Sequence, residues 1–67
     1  MKFSLGDKIR VKHINYDHKM RVQQPMPSII GMKGIVDKMS VMEENAYYIK
    51  LENGKLALLY EDEIELI

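Results

Sequence analysis

Apolar and charged residues alternate at period two through Lys8-Ile9-Arg10-Val11-Lys12, placing Ile9 and Val11 on one face and three cations on the other. This is the pattern of a half-buried strand, and Gly6-Asp7 just before it signals a turn. The alternation stops over residues 13–31, HINYDHKMRVQQPMPSIIG, where Pro25 and Pro27 exclude a regular helix or a central strand. The segment reads as one long loop, with a short irregular strand near Met20–Val22. Loops of about this length in compact domains are usually functional or mobile.

Gly31-Met32-Lys33-Gly34 predicts a tight turn with positive φ at one or both glycines. Ile35 to Val41 follows as a strand, bent or bulged because its alternation slips. Glu43-Glu44-Asn45 reads as a turn. Ala46–Leu51 and Lys55–Tyr60 then flank Asn53-Gly54, which predicts a two-residue type I′ hairpin. In that register Leu56 and Leu58 meet Tyr47, Ile49 and Leu51 on the core face. Glu61-Asp62-Glu63 predicts one turn of tight helix, and Ile64-Glu65-Leu66 a short last strand. There is no internal repeat and no long amphipathic helix. The expected fold is all-β: one domain over residues 1–67, a small five-stranded Src-homology-3-like barrel with one long early loop and a short helical turn before the last strand.

Composition narrows the chemistry. A chain of 67 residues hides only about 60% of its surface on folding and retains about 3–5 kcal/mol of net stability. With no cysteine, disulfides, thiolate zinc sites, iron–sulfur ligation and thiol nucleophiles are all excluded. The core must hold by packing, which leaves room for help from a partner or from a second copy in a homo-oligomer. The charged opening MKFSLGDKIRVKH is unlike a signal peptide, and no window approaches the roughly 20 apolar residues of a membrane span. No membrane attachment is expected, and the cytoplasm is the expected compartment.

Formal net charge is zero but unevenly spread: residues 1–38 carry eight Lys or Arg against three Asp, giving +5, and residues 39–67 carry two Lys against seven acids, giving −5. Such polarity either steers a charged partner or is satisfied internally once strands interleave. His13 and His18, with Asp17 between them, are too weak a signature for a metal site, so neither a metal nor a cofactor is expected. Ser4, Ser28 and Ser40 lie in no nucleophile context, so no catalytic residue is expected either. The contiguous carboxylates Glu61, Asp62, Glu63 and Glu65 point different ways and read as a solvated turn that blunts an edge strand.

Taken together, Gly6-Asp7-Lys8-Ile9-Arg10-Val11-Lys12, Gly31-Met32-Lys33-Gly34-Ile35-Val36, Tyr48-Ile49-Lys50-Leu51 and Glu61-Asp62-Glu63-Ile64-Glu65-Leu66-Ile67 resemble the electron-transport accessory group of Src-homology-3-like barrels. That group includes the variable chain of ferredoxin–thioredoxin reductase and the β-subunit barrel of nitrile hydratase. The first is nearest, through Tyr16-Asp17-His18-Lys19, the Gly-Met-x-Gly-x-Val turn and the acidic ending. The resemblance implies a non-catalytic barrel that docks onto a larger protein, with no catalytic residue to carry over.

Two functional expectations follow. The first is an accessory or protein-interaction module whose partner contacts the loop from His13 to Gly31, through Tyr16, His18, Met20, Val22, Met26 and Ile29, together with the adjacent barrel face; methionines there supply an adaptable apolar surface, and Pro25-Met26-Pro27 stiffens it. Val22, Met26, Ile29 and Ile30 either cap the barrel or meet that partner. The second is a nucleic-acid-binding barrel, for RNA or single-stranded DNA, using the basic stripe Lys8, Arg10 and Lys12. The zero net charge counts against it.

Overall fold

The computed structural model describes residues 2–18, 21, 24–41 and 43–67. Five strands form a single antiparallel sheet: β1 (Lys8–Val11), β2 (Lys33–Met39), β3 (Ala46–Leu51), β4 (Leu56–Tyr60) and β5 (Ile64–Leu66), in the order β4-β3-β2-β1-β5. Two 3-10 turns, Pro27–Ile29 and Glu61–Glu63, complete the regular structure, and there is no α-helix among the described residues. No helix among them is long and apolar enough to cross a membrane. The expected strand near Met20–Val22 falls on residues outside those described, except for Arg21, which lies in a bend.

Each strand forms where the sequence alternates. Ile9 and Val11 are fully buried and Lys8 is exposed, as period two requires. β2 begins two residues earlier than its apolar pattern because Gly34 belongs to the ladder, opposite Ile9 on one side and Leu51 on the other. A Cβ at Gly34 would lie 2.6 Å from the Ile49 methyl and 2.9 Å from the Lys50 carbonyl oxygen. Close approach of β3, not positive φ, demands that glycine. Gly31 takes the positive φ of the turn, at 89°. The predicted slip in β2 is a bulge between Val36 and Lys38.

The β3–β4 hairpin exists, but its turn differs from the expected type I′. Asn53 has no positive φ; only Gly54 does, at 87°. The Gly54 N–H donates to Leu51 O and the Leu51 N–H to Lys55 O, both at 2.9 Å, so the loop holds three residues, 52–54. The Asn53 side chain accepts the Lys55 N–H at 3.0 Å, which favours this closure, a three-residue turn ending in a left-handed glycine. One added loop residue shifts the register by one and exchanges the faces of β4. Leu58 is therefore opposite Tyr48, Leu56 opposite Lys50, and Leu59 opposite Tyr47. Leu59 enters the core, while Leu56 stays 52% exposed on the outer face.

Sheet curvature follows from connectivity. In a flat sheet, four inter-strand steps of about 4.8 Å would hold β4 and β5 about 19 Å apart. Only the Glu61–Glu63 turn joins them, spanning about 8 Å at a 3-10 rise. The sheet must curl, although no strand ladder pairs β4 with β5. Inside the curl pack Ile9, Val11, Val36, Tyr47, Ile49, Leu51, Leu59 and Ile64. Phe3 closes one side, edge-on to Tyr47 with ring centroids 5.5 Å apart. The Tyr47 hydroxyl accepts the N–H groups of Lys2 and Phe3, tying the first residues to β3.

Candidate functional site

The segment between β1 and β2 is held down by a buried ion pair that the sequence reading did not single out. Arg21 and Glu63 have fully buried side chains and join by two N–H···O bonds of 2.7 Å. All five guanidinium donors are used: the remaining three go to Gln24 Oε1 at 2.9 Å, to Leu58 O at 3.1 Å and to Asn15 O at 3.1 Å. The carboxylate is equally saturated, since it also accepts the Tyr60 N–H at 2.9 Å and the Asn15 N–H at 2.7 Å. Burial pushes the Glu63 carboxyl up, but Arg21 and the two backbone donors outweigh it and hold the group below its ordinary value. The acidic turn is thus not uniformly solvated, as the sequence suggested. A carboxylate that closes the turn back onto Tyr60 N–H and anchors the facing loop has to point inward.

A second latch lies beside the first. His18 stacks on Tyr60, with ring centroids 3.7 Å apart and planes 9° from parallel, and its Nε2 lies 2.9 Å from Asp62 Oδ1. Arg21 lies 5.5 Å from the same tyrosine ring. Burial raises the Asp62 carboxyl, yet the hydrogen bonds from Asn15 and His18 more than offset it, leaving it below the usual carboxylate range. The Tyr60 hydroxyl donates to Glu43; burial, then that carboxylate, pushes its pKa up to about 12.

With the loop pinned, residues 24–29 wall a groove of about 430 Å³ against the β3–β4 hairpin. Pro25, Met26 and Ile29 form one side; Tyr48, Leu56 and Leu58 form the other. Met26 is 69% exposed at the rim. β4 is an edge strand, and the Leu51–Lys55 pairing makes Leu56 and Leu58 non-hydrogen-bonded positions toward β3. Their backbone N–H and C=O groups therefore point to the free edge. Arg21 already occupies the Leu58 carbonyl from that side.

The residues named for partner contact separate into three sets. Met26 and Ile29 meet at the groove, Ile29 from a nearly buried position in the core and Met26 from the surface. Tyr16 is exposed in the turn before the latch, and His18 is engaged with Tyr60 and Asp62. Met20 and Val22 lie outside the described residues. Tyr48, Leu56 and Leu58 were missed as groove residues because the one-residue register shift alone brings both leucines outward. Arg21 and Glu63 left no trace that sets them apart: the loop also holds His13, Asp17, His18 and Lys19, and Glu63 follows Glu61 and Asp62.

Lys8 and Arg10 share the outer face of β1 and Lys12 follows the end of the strand, but Arg10 is placed between Glu65 of β5 and Lys33 of β2. Glu52 also accepts the Lys33 N–H at 2.8 Å, so acids are interleaved with this part of the stripe. No group of three His, Cys, Asp or Glu side chains fit to hold a metal occurs among the described residues. Compared with protein-family models, with curated proteins and with solved structures, the chain finds no match.

Proposed function

We propose that this chain is a non-catalytic accessory module, a Src-homology-3-like barrel that docks onto a larger protein by taking an extended apolar segment of it into the groove between residues 24–29 and the β3–β4 hairpin. The barrel reading is supported by the curl that the Glu61–Glu63 turn imposes and by the β2 bulge, which bends a strand as closure requires. Kinship with the electron-transport accessory group rests on the motifs that prompted it. One observation carries the function: Met26 and Leu56 are exposed on facing walls of a groove beside a strand edge that pairs with no other strand among the described residues and gives only its Leu58 carbonyl to Arg21, and the wall opposite β4 is fastened in place by a saturated buried ion pair. A pre-formed apolar groove next to free backbone groups suits a partner strand, with main-chain bonds for affinity and side-chain pockets for selection.

The experiment places a photo-crosslinking residue at position 26 or 56, with Lys12 as control, in the protein's native cells. One partner captured from both groove positions and not from position 12 is the expected result. That purified partner then loses its affinity for Met26→Asp while the variant stays folded. Equal capture from all three positions, or unchanged affinity, removes the reading. Nucleic-acid binding through Lys8, Arg10 and Lys12 is tested in parallel by titrating short RNA and DNA against salt; binding near 50 mM salt that falls steeply with ionic strength would establish that alternative instead.

A further inference from the structure

The outer face of the sheet carries a second feature, which adjoins the groove at Leu56. Following the register across all five strands, Ile67 lies beside Lys8, Lys8 opposite Ile35, Ile35 opposite Lys50, and Lys50 opposite Leu56. The row alternates apolar and cationic side chains from one sheet edge to the other. Ile67 and Ile35 are 53% and 45% exposed. The neighbouring row is different: Glu65, Arg10 and Lys33 follow one another, and Glu52 flanks Lys33, so its charges balance. In the first row no acid stands between the lysines. Among the described residues Lys8, Lys33 and Lys50 form no ion pair. These three lysines, with Glu52 as the one acid beside them, rim a depression of about 280 Å³ whose apolar lining includes Ile35 and Ile67; its side-chain charge is therefore +2, from three Lys and one Glu.

The chemistry of that depression selects an occupant. A two-fold pairing of the row with itself would set Lys8 against Lys50 of the second copy, and like charges directly opposed are destabilising. Single-stranded nucleic acid stacks its bases on aromatic rings, and no aromatic side chain lines this depression. A bilayer takes up protruding apolar side chains, whereas here the isoleucines line a hollow between longer lysines. What fits is a bulky apolar side chain entering the hollow with a carboxylate on either side.

We propose that this depression is a second docking site, for an extended acidic protein segment of the form Glu-x-Leu-x-Glu. In an extended chain those three side chains share one face, with the outer two about 13 Å apart. Lys8 and Lys50 lie two strands apart, about 10 Å, and their flexible stems cover the difference. The leucine sits over Ile35, between Lys8 and Lys50, and Lys33 reaches whichever carboxylate lies nearer.

The test titrates the blocked peptide acetyl-Gly-Glu-Ser-Leu-Ser-Glu-Gly-amide into the labelled protein and follows amide and methyl shifts. Shifts centred on Lys8, Ile35, Lys50 and Ile67 are expected, weakening as salt rises. The charge-reversed Lys8→Glu/Lys50→Glu variant, whose exposed side chains carry little of the fold, should bind about tenfold or more weakly. Met26→Asp should bind as the parent does, which separates this site from the groove. The proposal is overturned if the peptide gives no shifts at millimolar concentration or if its Lys-for-Glu analogue binds as well. Stronger binding of phosphatidylserine vesicles or oligo-dT to the same residues overturns it too.

Discussion

Replacing Glu63 by glutamine tests the anchor on which the groove depends. The amide has the carboxylate's shape but one acceptor oxygen in place of two. Its NH₂ would then face one Arg21 N–H and one backbone N–H, from Tyr60 or from Asn15. It also leaves the guanidinium buried without its counter-charge. Breaking a buried pair in this way costs about 3–5 kcal/mol. Since that matches the whole net stability of a domain this size, Glu63→Gln should be close to half unfolded in water at 25 °C. Urea unfolding followed by circular dichroism reads the effect; with a slope of about 1 kcal/mol/M, the midpoint should fall by about 3 M or more. Arg21→Met/Glu63→Gln removes the stranded charge and should recover part of that loss, giving a coupling energy of about 2 kcal/mol in the double-mutant cycle. Additive single effects, or a midpoint that moves by less than about 0.5 M in Glu63→Gln, would mean that Arg21 and Glu63 do not act as a buried pair.

Three further outcomes follow. Gly34→Ala should destabilise by about 1–3 kcal/mol, read by the same urea titration, because its methyl would meet the Lys50 carbonyl and Ile49 at once. Leu59→Ala should cost about 2–5 kcal/mol and Leu56→Ala under about 0.5 kcal/mol in thermal unfolding; the reverse order would restore the two-residue hairpin register. Stability should depend on pH at both ends. Asp62 and Glu63 are held below their ordinary values of 3.8 and 4.5, so their contribution is complete above those values and is lost as pH falls through the lower folded ones. Tyr60 is raised from 10.0 to about 12, so its contribution is complete below pH 10 and disappears as pH rises toward 12. A titration of the unfolding midpoint that is flat at either end contradicts the corresponding contacts.

Strand positions could be read from the chain because period-two alternation and turn residues are local. Ile9 and Val11, the slip in β2, the acidic 3-10 turn and the short β5 all follow from neighbours in sequence. Register at the hairpin could not, since Asn53-Gly54 fits a two-residue or a three-residue loop, and the choice depends on the Asn53 side chain and on burying Leu59. The anchor is harder still. Arg21 and Glu63 are 42 residues apart, and nothing in a local pattern distinguishes a buried carboxylate from the solvated ones beside it. Of the residues that line the groove, Met26 and Ile29 were named from the sequence, and Tyr48, Leu56 and Leu58 were not.

The docking role is tested most directly by methyl-labelled spectra of the protein alone and with the segment of its crosslinked partner. The Met26, Leu56 and Leu58 methyls should shift together and saturably, while Val41, 96% exposed on the β2–β3 turn outside the groove, stays in place. Shifts that spare Met26 and Leu56, or that move Val41 equally, would contradict the account.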